Sequence, residues 1–406
     1  MASWDTLLLA LVAPAAGAAK TQLVLLVTRA VPLAVYSASA SRFGTRTRLL
    51  TMTLFAVAAL GAERFSPGTL EMVGRTVAGM AYYALTATLV YHLQPTLTEA
   101  RVGGLMRLVL AFTLFLLLPA LVLPSFILPL GVLVLGWDFA LSAYSYWKDS
   151  QWEGTRPSLG ECLFFMLVNP TLVYPDRGQW ERRPRPDLGG GLRLLVGLTM
   201  MTGGSLLVAG YPIAARAVQA AGVPQLARFG ISGVLFFFAT YWLAAGLAHI
   251  HIGLFRQVGY WLPECYRCPL LATGPADFWR RWNIYVMTWA RRYLFDPLVL
   301  WLVRLRRRLW PSATPGAVQA AAVVLTFVSM GVLHDLYTFV ETKAAGATAT
   351  ALFSFSAVII LIWEVTARHV RRHQPAGKRV GPTRGLFARA YFGLGLIAAS
   401  GAMSML

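Results

Sequence analysis

Charged residues are scarce in this sequence. They make up 13% of its 406 residues, whereas 57% are hydrophobic; a soluble domain carries about 25% charged residues. Many apolar runs approach the roughly 20 residues that a helix needs to cross a bilayer. The composition therefore excludes a soluble globular protein. It predicts an all-α, polytopic transmembrane helical protein with about ten spans plus re-entrant or interfacial helices.

Acidic residues are scarcer than basic ones. The chain has 17 Asp and Glu against 36 Lys and Arg, which gives a formal net charge of +19. In a soluble protein such an excess would suggest a nucleic-acid partner. Here the basic residues lie between apolar runs, where the positive-inside rule and anionic lipids account for them. We therefore expect membrane lipids as partners and no nucleic acid.

Cysteine is limited to Cys162, Cys265 and Cys268. The last two have the spacing of a metal or redox pair, but no second pair of Cys or His residues lies nearby to complete a tetrahedral site. His249 and His251 cannot both face one metal, because side chains two positions apart on a helix point about 200° apart. We therefore expect reduced thiols and no metal.

The apolar runs predict where the helices lie. We expect apolar helices over 49–60, 73–93, 105–123, 126–144, 192–215, 226–255, 318–333, 349–363 and 386–406. The run over 7–40 is either two short helices or one span with a re-entrant piece. The segment 161–175 is short and bounded by proline, which favours a re-entrant or interfacial helix. No repeat or soluble domain is found in the sequence, so we expect one membrane-embedded domain over 1–406.

An aromatic and basic block begins at residue 275. If it forms a single helix, one face carries an aromatic stripe of Phe278, Trp282, Tyr285 and Trp289. Such a helix would lie at the membrane interface, with its rings in the hydrocarbon boundary. The candidate donor-binding residues are Trp279, Arg280, Arg281, Trp282, Arg291 and Arg292. Their guanidinium groups would meet the phosphates of a nucleotide-containing acyl donor or, alternatively, those of lipid headgroups.

A histidine ends the long apolar run that follows this block. His334 is an ionisable group near membrane depth, which by default suggests a functional site. A neutral imidazole is suited to accept a proton from a hydroxyl. The alternative is a histidine that is merely hydrogen-bonded at a helix end. Its neighbour Asp335 would not orient the ring directly, because adjacent residues on a helix do not face each other.

Other catalytic patterns are missing from the sequence. A His-x-x-x-x-Asp acyltransferase box that starts at His334 would need a carboxylate where Phe339 stands. A phosphate-binding Gly-x-x-x-x-Gly-Lys-Ser/Thr loop, a His-Glu-x-x-His zinc motif and a Gly-x-Ser-x-Gly elbow are also absent. The sequence thus offers no template for nucleotide hydrolysis, zinc proteolysis or serine hydrolase chemistry.

Three runs in the second half of the chain form a distinctive pattern. They are Pro-Leu-Leu-Ala-Thr-Gly-Pro-Ala-Asp-Phe-Trp-Arg-Arg-Trp-Asn-Ile over 269–284, Tyr-Leu-Phe-Asp-Pro over 293–297, and Phe-Val-Ser-Met-Gly-Val-Leu-His over 327–334. Together they resemble the membrane-bound O-acyltransferase family, and the signature region is 269–340. The resemblance implies that His334 is the catalytic base and that Asn283 is the family's second polar catalytic position.

The resemblance also implies a reaction. An acyl group would move from a thioester donor, acyl-CoA or an acyl carrier protein acting as co-substrate, to a hydroxyl acceptor, and no cofactor is implied. Asn283 and Asp335 stand where the polysaccharide branch usually has His and often has Gly, which favours a lipid or small alcohol acceptor. Two alternatives remain: acylation of an extracytoplasmic polysaccharide, and a non-catalytic transporter with His334 and Asp335 as a relay. The expected location is the bacterial inner membrane.

Overall fold

The computed structural model describes residues 69–122, 130–150, 157–174, 188–257, 261–342 and 346–372. Within these ranges the regular structure is helical and contains no strand. The all-α class is therefore confirmed. The helices predicted over 7–40, 49–60 and 386–406 lie outside the described residues.

The described residues up to 257 form seven α-helices. They are α1 (Thr69–Glu99), α2 (Gly104–Phe112), α3 (Leu118–Val122), α4 (Leu130–Asp149), α5 (Leu159–Leu167), α6 (Leu188–Ala220) and α7 (Gln225–Gln257). A π-helical turn over Thr113–Leu117 joins α2 to α3. The segment 161–175, predicted to be a re-entrant or interfacial helix, contains most of the short helix α5, which begins with a capping box between Ser158 and Glu161. Its placement relative to the membrane stays a prediction.

The described residues from 261 onward carry the signature region. They form α8 (Pro275–Arg281), α9 (Ile284–Ala290), α10 (Asp296–Leu309), α11 (Pro315–Thr342) and α12 (Thr348–Arg372). A 3₁₀ turn over Pro269–Leu271 precedes α8, and a π-helical turn over Arg291–Phe295 joins α9 to α10. The apolar helices predicted over 318–333 and 349–363 correspond to α11 and α12.

Several helices in the described part of the chain can cross a membrane. Five are long and apolar enough, over Gly104–Leu121, Gly189–Val208, Gly230–Arg256, Pro315–Val340 and Thr348–His369. Large apolar side chains on helix surfaces, such as those of Leu85, Leu105 and Leu121, are exposed, as expected where lipid covers them. The protein is an integral, multi-pass membrane protein, and the total of about ten spans stays a prediction.

Contacts divide the chain into two compact units. The first comprises Met1–Ala217 and Phe238–Pro263, and the second comprises Val218–Phe237 and Glu264–Leu406. The signature region lies entirely in the second unit. The expectation of one membrane-embedded domain over 1–406 stays a prediction.

Within the first unit, α6 packs closely against the last part of α7. A Cβ atom on Gly197 would come within 2.7 Å of the Gly246 carbonyl oxygen, so small residues allow the two backbones to approach. Nearby, Nη1 of Arg193 lies 3.0 Å from Nδ1 of His249. Because a guanidinium group only donates hydrogen bonds, this ring nitrogen is the acceptor. This contact joins α6 to α7.

Candidate active site

The aromatic and basic block is broken in the middle. Helix α8 ends at Arg281, and Asn283 adopts a left-handed conformation with φ of 38° before α9 begins. Asparagine tolerates this conformation better than most residues, and its short side chain can cap the next helix. Oδ1 of Asn283 accepts a hydrogen bond from the Val286 amide at 3.4 Å. The prediction of one continuous interfacial helix is therefore wrong.

The aromatic stripe predicted for that helix faces protein. Phe278, Tyr285 and Trp289 are buried, at 2%, 6% and 0% exposure. The ring of Phe278 stacks on that of Trp282 with 5.3 Å between centroids, and both contact Phe237. Phe278, Trp282 and Phe237 therefore form a cluster within the second unit, and the buried Tyr285 and Trp289 also face protein rather than the hydrocarbon boundary.

The loop over 264–268 forms hydrogen bonds with residues on both sides of the helix break at Asn283. The Arg267 amide donates to the Arg281 carbonyl at 3.0 Å, and the Ile284 amide donates to the Cys265 carbonyl at 2.7 Å. The buried thiol of Cys265 lies 3.5 Å from Oδ1 of Asn283. Oδ1 of Asn283 is thus the acceptor for protein donors, and the Nδ2 group is the part of the carboxamide that can only donate hydrogen bonds.

Asp277 forms polar contacts at both ends of α8. The carboxylate of Asp277 accepts hydrogen bonds from the Thr273 amide and from Nε of Arg281, both at 3.0 Å. Burial acts to raise the pKa of Asp277, but these hydrogen bonds and the positive charge of Arg281 outweigh it, so the pKa lies below the ordinary carboxyl value. Asp277 is therefore ionised at neutral pH and anchors α8.

His334 is partly buried on α11. Its Nδ1 atom lies 2.7 Å from the Met330 carbonyl oxygen, one helical turn earlier. A carbonyl oxygen can only accept, so Nδ1 carries the hydrogen. In the neutral ring the lone pair is then on Nε2. In this tautomer the acceptor nitrogen is on the side of the imidazole that faces away from its own helix backbone.

Asp335 has a different partner. Its carboxylate accepts hydrogen bonds from the amides of Ala349 and Thr350, at 2.8 and 2.9 Å. These are orphan amides in the first turn of α12, which a carboxylate is suited to cap. The expectation that Asp335 does not orient the His334 ring agrees with this arrangement, because both carboxylate oxygens are directed at α12.

His334 and Asn283 line one cavity within the second unit. The cavity has a volume of about 60 Å³ and is also lined by Trp279, Trp282 and Met330. The structure thus brings together the two predicted catalytic residues and the two predicted tryptophans. The cavity therefore places an imidazole and a carboxamide side by side in largely apolar surroundings.

The four predicted arginines do not line this cavity. Arg281 donates hydrogen bonds to the Asp277 carboxylate and to the Arg267 carbonyl oxygen. These contacts stabilise the end of α8. Arg280, Arg291 and Arg292 have exposed side chains, so they are accessible to phosphates of either a donor or a lipid. Their role in donor binding stays a prediction.

Phe327 and Phe353 also line the cavity and were not among the predicted residues. Phe353 lies against the imidazole of His334, with 4.8 Å between ring centroids. Phe327 and Met330 precede His334 by seven and four residues, the spacing of one helix face, so the sequence contained a signal for both. No local pattern connects Phe353 with His334, because it comes from another helix.

Part of the chain is similar to known acyltransferases. No family model matches the chain. A probable alginate O-acetylase of Pseudomonas syringae pv. tomato is 28% identical over 134 residues, 30% of this chain and 23% of that protein. A peptidoglycan O-acetyltransferase of Helicobacter pylori is 32% identical over 121 residues, 29% and 22% of the two chains. A probable long-chain-alcohol O-fatty-acyltransferase of Arabidopsis thaliana is 32% identical over 101 residues, 25% and 28%.

The chain is related to the membrane-bound O-acyltransferases. All three relatives are enzymes of that type, so the resemblance seen in the sequence is confirmed. The matched segment spans less than a third of each of these three relatives. The similarity therefore supports the acyltransferase class, and the roles of His334, Asn283 and the donor-binding residues stay predictions.

Proposed function

We propose that this protein transfers an acyl group from a thioester donor to a hydroxyl acceptor at the cavity beside His334. The donor is acyl-CoA or an acyl carrier protein, the acceptor is a lipid or small alcohol, and the location is the bacterial inner membrane. The single observation that carries the proposal is that His334 and Asn283 line the same cavity. The names of the relatives support the reaction class.

The first step is proton removal from the acceptor. Nε2 of His334 takes the hydroxyl proton while the acceptor oxygen attacks the thioester carbonyl carbon, and a tetrahedral oxyanion forms. The Nδ1 hydrogen bond to Met330 supports this role, because it keeps the ring in the tautomer with its lone pair on Nε2. No other base is required.

The second step is expulsion of the thiol. The oxyanion collapses, the carbon–sulfur bond breaks, and the leaving thiolate takes the proton from the His334 imidazolium. The products are an ester and a free thiol, and the imidazole is neutral again. The Nδ2 group of Asn283 donates a hydrogen bond to the oxyanion, a contribution that is typically worth about 10²–10³ in rate.

The transporter alternative is less well supported. A proton relay through His334 and Asp335 would need a carboxylate that can exchange protons freely. Both oxygens of Asp335 accept backbone hydrogen bonds from α12, and protonation would weaken both bonds. A polysaccharide acceptor remains the second candidate because two of the relatives are named for alginate and peptidoglycan acetylation.

The test is thiol release by the purified full chain in detergent. Acetyl-CoA would be supplied with dodecanol or with alginate oligosaccharides, and free CoA would be measured. We expect release that depends on an added hydroxyl compound, and the compound that supports it distinguishes the two acceptor classes. His334→Ala should lower the rate by at least about 100-fold without changing the elution profile.

A matched control is available on α12. His369 is exposed, so His369→Ala removes an imidazole without touching the cavity and should keep the wild-type rate. Full activity in His334→Ala would falsify the assignment of the base. The assay would be repeated with octanoyl-CoA, and an absence of hydroxyl-dependent CoA release from both thioesters with either acceptor would refute the enzymatic proposal.

A further inference from the structure

The cavity beside His334 is small. Its volume is about 60 Å³, whereas an engineered apolar cavity that binds benzene has about 150 Å³. By that comparison the space accommodates roughly two or three heavy atoms. An acetyl group has this size, and a fatty acyl chain is several times larger.

Three aromatic rings form a continuous wall of the cavity. The ring centroid of Trp279 lies 5.3 Å from that of Phe327 and 5.6 Å from that of Phe353. Phe327 and Phe353 are 6.2 Å apart. Each ring therefore contacts the other two at distances typical of packed aromatic pairs. Phe353 also touches the His334 imidazole, so the wall extends to the proposed base.

This wall cannot recede without cost. The first turn of α12 lies directly against α11 at Gly331. A Cβ atom added to Gly331 would be only 2.5 Å from the Thr350 Cα, so the two backbones are in close contact there. Asp335 anchors the first turn of α12, one turn before Phe353. The three rings are partly buried, and the fixed approach of α11 and α12 keeps Phe327 and Phe353 in contact, so a longer acyl chain would have to separate them.

We propose that Trp279, Phe327 and Phe353 limit the transferred group to a short acyl of about the size of acetyl. The inference rests on the proposed function, since the thioester carbonyl must reach His334 and Asn283. With an acetyl donor, the acceptor oxygen forms the new bond to the acetyl carbon and the carbon–sulfur bond breaks. The hydroxyl proton passes through His334 to the thiolate, and the methyl group rests against the rings.

The experiment compares acetyl-CoA, butanoyl-CoA and octanoyl-CoA with the full chain in detergent, with free CoA as the readout and dodecanol or alginate oligosaccharide as acceptor. We expect kcat/KM for acetyl-CoA to exceed that for octanoyl-CoA by at least about 100-fold. Phe353→Ala and Phe327→Ala should each raise the octanoyl-to-acetyl ratio by at least about 10-fold. If an alanine variant does not elute as the wild type does, the corresponding Phe→Leu variant replaces it.

Phe355 provides the matched control, because it is on the same helix as Phe353 and is 50% exposed. Phe355→Ala should keep the wild-type ratio of kcat/KM for octanoyl-CoA to kcat/KM for acetyl-CoA. A wild-type enzyme that uses octanoyl-CoA as well as acetyl-CoA would overturn the length limit alone, as would unchanged ratios in both cavity variants. A chain that uses none of the thioesters with any acceptor would overturn the proposed function, and the length limit with it.

Discussion

The carboxylate of Asp335 accepts a hydrogen bond from the Thr350 amide at 2.9 Å. This contact joins the residue after the proposed base to the first turn of α12. Together with the bond from the Ala349 amide, it makes Asp335 a helix cap that comes from a different helix. The position of Phe353 relative to His334 therefore depends on a residue that does not itself line the cavity.

Asp335→Asn should lower stability. An amide side chain has only one acceptor oxygen and no charge, so one of the two α12 amides loses its partner and the favourable interaction with the helix dipole is lost. We expect the free energy of unfolding to fall by about 1 kcal/mol, which would be measured as a lower midpoint of thermal unfolding in detergent. Asp296→Asn, at the exposed start of α10, is the control and should unfold as the wild type does.

The same variant separates two roles for Asp335. A capping role predicts lower stability and a moderate loss of rate, because α12 shifts. If Asp335→Asn abolished activity and left the unfolding midpoint unchanged, Asp335 would act in proton transfer and the cap would be incidental.

Gly331→Ala should force α11 and α12 apart. The added Cβ would lie 2.5 Å from the Thr350 Cα and 3.0 Å from the Ala349 carbonyl oxygen, and both are backbone atoms that cannot rotate away. We expect a loss of about 1–3 kcal/mol in thermal unfolding and a reduced acyl transfer rate.

The control for that variant lies on the same helix. Around Gly316 the nearest atoms to an added Cβ are 3.8 and 3.9 Å away, in flexible side chains. Gly316→Ala should therefore be neutral or stabilising by up to about 1 kcal/mol, from helix propensity. Equal unfolding midpoints for the two variants would show that the close approach at Gly331 is not important for stability.

Asn283→Asp should separate folding from catalysis. The carboxylate keeps an oxygen for the Val286 amide and tolerates the left-handed backbone, but it has no hydrogen to donate. We expect the rate to fall by about 10²–10³-fold in the CoA-release assay, with little change in the unfolding midpoint. A variant that folds and retains wild-type activity would remove Asn283 from the oxyanion site.

Asp277 should make stability depend on pH in the acidic range. The pKa of Asp277 is lower in the folded protein than in the unfolded chain. Its contribution to the free energy of unfolding is therefore present in full above the ordinary carboxyl pKa of about 3.9. The contribution is lost as the pH falls from that value through the folded pKa. Wild type and Asp277→Asn should therefore differ in unfolding midpoint at pH 7 and converge below about pH 4. A difference that does not depend on pH would show that the Asp277 charge is irrelevant.

Much of the helical framework could be predicted from the sequence. The helices around 318–333 and 349–363, and the position of His334 at the end of the first of these, follow from hydropathy. The break at Asn283 could not be predicted, because the 4-3-4 aromatic spacing fits one uninterrupted helix. The preference of asparagine for a left-handed conformation is too weak to override that pattern without the contacts from the loop over 264–268.

The sequence by itself determined the membrane class, the helical content, and the position of His334 at the end of an apolar run that follows an aromatic and basic block. Hydropathy and helical spacing are local properties, so they can be read along the chain. Only the tertiary structure decided that His334 and Asn283 share a cavity, that Phe353 lies beside the imidazole, and that Asp335 caps α12. Each of these depends on contacts between residues far apart in the chain, and the free energy of such packing has no local signature.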